Sequence, residues 1–235
     1  MPFYYFWDPT YILVIIGLVL SLWASSRVKS TYAKYSRVRS MSGMTGADAA
    51  ARILHAAGIY DVQIQHVSGN LTDHYDPRNK TLNLSDSVYG SPSVAAVGVA
   101  AHECGHAIQD AKSYAPLKIR GAFVPVANIG SGLSMPLILI GLIFGVNSQW
   151  AILVDIGIIL FSLAVLFQLI TLPVEFNASR RAIQMVESTG ILYGDEVDGT
   201  KKVLSAAALT YVASAAAAML SLLRLILLFG GRNRD

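Results

Sequence analysis

The sequence predicts a mainly α, integral-membrane fold in which transmembrane helices carry a small α+β cytoplasmic domain with a short antiparallel sheet. Three observations predict it. Hydrophobic residues make up 54% of the 235 and charged ones only 14%, with a mean hydropathy of +0.50, too apolar for an ordinary soluble domain of this size. Apolar runs of spanning or near-spanning length occur at Tyr11 to Ala24, Phe123 to Val146, Trp150 to Leu172 and Val203 to Phe229. Between the first two lie roughly ninety residues of mixed polarity, enough for a small core packed on a membrane hairpin.

The first element is an N-terminal anchor over 9–26. It lacks the basic leader of a secretion signal, and SSRVKSTYAKYSRVRS follows it in place of a clear cleavage site. Arg27, Lys29, Lys34, Arg37 and Arg39 flank it on one side without an acid, while Asp8 is the charged side chain on the other. The Lys/Arg bias puts the flank, and the domain over 27–120, in the cytoplasm. Lys112, Lys118 and Arg120 fall on the same side, as do Arg180, Arg181, Lys201 and Lys202. Every basic cluster except the tail Arg232 and Arg234 then falls on one face, and the turn Asn147-Ser148-Gln149 carries no charge. A multi-pass protein of the cell (inner or plasma) membrane is expected. A formal charge of +3 placed beside apolar spans points to the lipid bilayer as partner and away from nucleic acid. A single cysteine excludes an internal disulfide and agrees with a reducing compartment.

Within the cytoplasmic domain, Gly46 to His55 reads as a helix with Thr45 as N-cap and Gly58 as stop. Val62 to Val67 alternates apolar and polar as a strand does, Ser68-Gly69-Asn70 turns the chain, and 72–78 is polar and turn-rich. Lys80 to Leu84 alternates again. That segment is either a sheet edge able to hold an extended peptide by its backbone or a purely structural hairpin strand.

The next element is a helix over 93–109, alanine-rich, free of proline and preceded by Pro92. It contains His102-Glu103-Cys104-Gly105-His106, a His-Glu-x-x-His pattern whose chance odds with five histidines in the chain are about two in a thousand. Histidines four apart share one helix face and can grip one zinc ion, with the adjacent glutamate set to act as base on water. Cys104 points about 200° away from that face and is expected to pack in a core.

Catalytic zinc takes three protein ligands, so an acid must join His102 and His106. Glu187 and Glu196 read as solvated surface. Glu175 follows the third apolar run directly, after Pro173, on a helix expected to continue into the cytosol over 174–202. It is the expected third ligand, reached across a transmembrane hairpin over 121–173. The alternative is intramembrane cleavage, with 93–107 in lipid and Asp155 as third ligand. The last element, 203–230, is alanine-rich and expected to span the membrane, with Arg224 snorkelling or facing protein.

A transmembrane hairpin between His-Glu-x-x-His and a glutamate-bearing helix resembles the layout of the HtpX and CAAX prenyl protease gluzincins. More closely, Leu71-Thr72-Asp73-His74-Tyr75-Asp76-Pro77, His102 to Gln109, Val174-Glu175-Phe176-Asn177-Ala178-Ser179-Arg180-Arg181-Ala182 and Ala206 to Ala213 resemble the bacterial YugP-like membrane zinc metallopeptidases. The resemblance implies a zincin-like domain in which His102, His106 and Glu175 hold one zinc ion and Glu103 is catalytic. The expected partner is a peptide or protein substrate, and because the catalytic helix begins and ends near membrane anchors, membrane proteins, their cytoplasmic tails or unfolded chains at the bilayer surface are expected. One departure concerns the HtpX-type pattern, which has an aspartate four after the ligand glutamate where this chain has Ser179. A hydroxyl there can still orient a ligand histidine. The oxyanion of peptide hydrolysis needs a further donor, for which His74, Tyr75, Arg181 and Tyr211 are candidates. A membrane scaffold holding zinc structurally is the non-enzymatic alternative.

Overall fold

The computed structural model describes residues 8–145 and 148–230. Arg232 and Arg234 of the tail, Val146 and Asn147 lie outside them. The chain runs α1 (Tyr11–Tyr35), α2 (Gly46–Ala56), β1 (Gln63–Val67), β2 (His74–Asp76), β3 (Thr81–Ser85), α3 (Val94–Ala111), α4 (Ala115–Phe144), α5 (Ala151–Ser188) and α6 (Asp195–Phe229). The helices α1, α4, α5 and α6 are long and apolar enough to cross a membrane, and α3 is not among them. Each of the four contributes residues to both of two compact units, one over 1–24, 119–172 and 210–235, the other over 25–118 and 173–209.

The first unit holds the apolar runs. With lipid as solvent the hydrophobic effect does little to join helices, so small residues set close approach. A Cβ on Gly130 would stand 2.7 Å from the Leu160 carbonyl oxygen, and one on Gly157 would stand 2.8 Å from that of Ser134, which draws α4 and α5 together. Gly17 of α1 likewise lies against Ala217 of α6. Arg224, expected to snorkel or face protein, faces protein. Its guanidinium pairs with Asp8 at 2.9 Å and lies 4.8 Å from the centre of the Tyr11 ring.

The second unit is an α+β layer. Thr45 caps α2 as expected, in a capping box with Asp48, and Gly58 follows the helix at φ +73°. The sheet is small and mixed, with order β1-β3-β2. Its β2–β3 pairing is antiparallel, as expected, and its β1–β3 pairing is parallel. The reason lies in 68–73: the chain crosses past the place of the middle strand, forms β2 on the far side from residues expected to be only turn, and returns as β3 between the two. Thr81 to Asn83, the middle of the Lys80 to Leu84 segment, is therefore paired on both sides, and β3 is the sheet's interior strand rather than an edge for an extended chain. The edges are β1 and β2.

Ile53, Leu54, Leu82, Leu84, Val97 and Cys104 belong to the core joining α2, α3 and the sheet. Cys104 packs there as expected, its Sγ 3.7 Å from the Ala50 carbonyl oxygen, and burial pushes its thiol pKa up. Glu196 departs from the surface role expected of it. It is buried and accepts from the Met41 backbone N–H at 2.6 Å, at the start of α6.

Candidate metal centre

The helix α3 starts where its sequence provides a cap: the Ser93 side chain accepts from Ala96 N–H at 3.2 Å. Eighteen residues follow without a break, so His102 and His106 stand one turn apart with ring centroids 4.8 Å apart and planes nearly perpendicular. The third group comes from α5, which continues through Pro173 as one helix. Val174, Ala178, Ala182 and Val186 recur every four residues and are fully buried. Glu175 sits beside this stripe, three residues beyond the apolar run, and is 2% exposed.

Glu175 Oε2 lies 3.3 Å from His102 Nε2 and 3.6 Å from His106 Nε2. Burial opposes ionisation of Glu175, yet the two imidazoles beside it outweigh burial and hold the carboxyl well below the usual range. For His106 burial works downward and Glu175 upward, and the pKa ends above its ordinary value. A buried carboxylate set against two imidazoles is a site suited to a cation.

The donor set fits zinc. One ligand atom from each of His102, His106 and Glu175 lies within 4.8 Å of the others, the one such group among the described residues. Two ligands held about 2.0–2.1 Å from a tetrahedral zinc stand about 3.4 Å apart, which the two carboxylate-to-imidazole distances already match. The acid beside the histidine pair is thus Glu175, and Asp155 is not part of the group.

Both rings are also held from behind. His102 Nδ1 lies 3.1 Å from Ser179 Oγ, one turn of α5 after Glu175. His106 Nδ1 lies 3.1 Å from Gln109 Oε1. Such contacts point the Nε2 atoms inward. Glu103 is 8% exposed, and its carboxylate makes no hydrogen bond among the described residues.

A model of the family described as "Putative neutral zinc metallopeptidase" matches residues 10–230. The chain belongs to that family. It is also 50% identical over 224 residues to the "Putative membrane protease YugP" of Bacillus subtilis (strain 168), covering 95% of this chain and 98% of that protein. No solved structure matches it. Zinc, proteolysis and a membrane setting are the properties the family description and this relative's name carry.

The remaining sequence candidates fall in different places. His74 donates through Nδ1 to the Thr72 carbonyl at 2.9 Å, and its Nε2 lies 3.2 Å from Asn83 Nδ2, so both nitrogens are engaged at the sheet. Tyr75 donates to Asp110 at 2.9 Å, and burial together with that carboxylate pushes its phenol pKa up. Arg181 Nε donates to Asn177 Oδ1 at 2.7 Å, with its guanidinium 6.0 Å from the Tyr114 ring centre. Tyr211 belongs to α6 in the first unit. Gln109 and Asn177 carry no role that the sequence alone reveals. The available signal was a polar residue three after His106 on the buried side of an apolar helix.

Proposed function

We propose that the chain is a membrane-embedded zinc metalloendopeptidase of the gluzincin type, with His102, His106 and Glu175 holding one ion and Glu103 as general base. The observation that carries this reading is the convergence of a buried carboxylate from α5 on the two imidazoles of α3 at zinc-ligand spacing. A zinc ion held there supplies a Lewis acid that acidifies water and polarises a carbonyl. Glu103 takes the proton of the attacking water and passes it to the leaving amine nitrogen, so that the scissile C–N bond breaks as a carboxylic acid and an amine form. Ser179 and Gln109 keep the two imidazoles oriented.

An extended substrate lies along β2, the short edge strand, which Tyr75 ties to Asp110 one turn beyond His106. Arg181, whose guanidinium has N–H groups beyond the Nε bonded to Asn177, is the candidate within the second unit for oxyanion stabilisation, since His74 and Tyr75 are engaged at the sheet and with Asp110. The active site faces the cytoplasm, on the side of the basic clusters, and the substrates are membrane proteins or polypeptides near the bilayer.

The test is hydrolysis of casein by detergent-purified protein. Cleavage should stop with a chelator and return with zinc. Glu103→Gln should bind zinc as the wild type does while losing at least about a hundredfold in rate. Zinc-loaded wild type that cleaves no polypeptide would favour the scaffold reading instead.

A further inference from the structure

Gln109 is fully buried and is satisfied on every side. Its Nε2 donates to the Val174 carbonyl of α5 at 2.8 Å and to Asn177 Oδ1 at 3.0 Å, and Asn177 Oδ1 also accepts from Arg181 Nε. Its Oε1 lies 3.1 Å from His106 Nδ1. For the neutral imidazole that ligates a metal, these contacts permit one proton arrangement. A backbone carbonyl only accepts, so the amide nitrogen must face Val174 and the amide oxygen must face His106. An amide oxygen also only accepts, so the imidazole proton sits on Nδ1. His106 Nε2 is left with its lone pair, and that is the atom facing Glu175.

His102 has no such constraint, because the Ser179 hydroxyl behind it can donate or accept. The two histidines are thus held by different means. One adapts through a rotating hydroxyl, and the other is set by an amide whose orientation is dictated by the α5 backbone immediately before Glu175.

We propose that Gln109 is a positioning residue that reads the place of α5 at Val174 and fixes the tautomer and ring orientation of His106 accordingly, so that His106 and Glu175 are set as one unit. The inference rests on the reading of His102, His106 and Glu175 as a metal centre. A residue serving only to fasten α3 to α5 would need the donor end of the amide alone. The acceptor end, turned to His106, is what a positioning role adds.

Two substitutions separate these roles. Gln109→Met keeps length and bulk but loses both ends. Gln109→Glu keeps an acceptor toward His106 Nδ1 and loses the donors to Val174 and Asn177. In full-length, detergent-purified, chelator-stripped protein, the zinc dissociation constant is read by competition with a chromophoric chelator, and thermal melting of the stripped protein is followed in parallel. Gln109→Met should weaken zinc binding by about ten- to a hundredfold, while Gln109→Glu stays within about threefold of wild type although its stripped form melts lower too.

Wild-type zinc affinity in Gln109→Met, or equal loss in both variants, overturns the proposal. Should Gln109→Met fail to accumulate, Gln109→Glu decides alone, since lost affinity there overturns the proposal and retained affinity sustains it. A wild-type protein that binds no zinc overturns the reading of the centre itself, an outcome distinct from either.

Discussion

Gly105 lies directly against the backbone of Ala178: a Cβ on Gly105 would overlap the Ala178 carbonyl oxygen and stand 3.0 Å from its carbonyl carbon. The helices α3 and α5 therefore meet backbone to backbone within the turn that separates His102 from His106. Glycine inside a helix costs about 1 kcal/mol relative to alanine, and here that cost permits the approach that brings Glu175 to the imidazoles. The expected result for Gly105→Ala is a loss of about 1–3 kcal/mol in stability from overpacking, with weaker zinc binding. Melting of the stripped protein beside zinc titration checks both, and unchanged zinc affinity would show that the approach is not needed for the centre.

Ser179 stands where a related layout carries an aspartate, and its hydroxyl reaches His102 Nδ1 at 3.1 Å. Removing it as Ser179→Ala should weaken zinc binding by about tenfold, because the ring loses its orienting contact. Ser179→Asp should bind zinc more tightly than Ser179→Ala, since a carboxylate raises imidazole basicity. Competition with a chromophoric chelator gives the order, and equal affinities in all three proteins would leave Ser179 without an orienting role.

Asp110, one turn beyond His106, accepts from Lys80 Nζ at 2.7 Å and from Tyr75 Oη at 2.9 Å. Burial pushes its pKa up, but these partners prevail and hold it below the ordinary value. A carboxyl lowered on folding stabilises the protein above its unfolded pKa, about 3.9, and that contribution disappears as pH falls through the folded value. The melting difference between wild type and Asp110→Asn should be constant from neutral pH to about pH 5 and shrink in stronger acid. A difference that grows toward acid would contradict the assignment.

The membrane part of the fold and the histidine pair were legible because each rests on local pattern: long apolar runs, a helix start after Pro92, and i, i+4 spacing. Glu175 was legible because the chain offers few glutamates and only this one follows an apolar run directly. The sheet was legible as strands but not as topology. Alternation shows which residues pair, yet whether 68–73 turns back or crosses over depends on where β2 finds a partner, and three residues are too few to announce themselves. Glu196 misled because an acidic turn looks solvated until Met41, 155 positions earlier, presents its N–H. Gln109 was hidden for the same reason, since its meaning depends on the carbonyl of Val174, 65 residues away.

The most direct test of the account is elemental zinc in purified wild type and in Glu175→Ala, measured after dialysis against a low, buffered free-zinc concentration. The account predicts about one zinc per chain in wild type and near loss of it in Glu175→Ala, in parallel with His102→Ala and His106→Ala. Full zinc in Glu175→Ala, with the metal lost from Asp155→Ala instead, would contradict it.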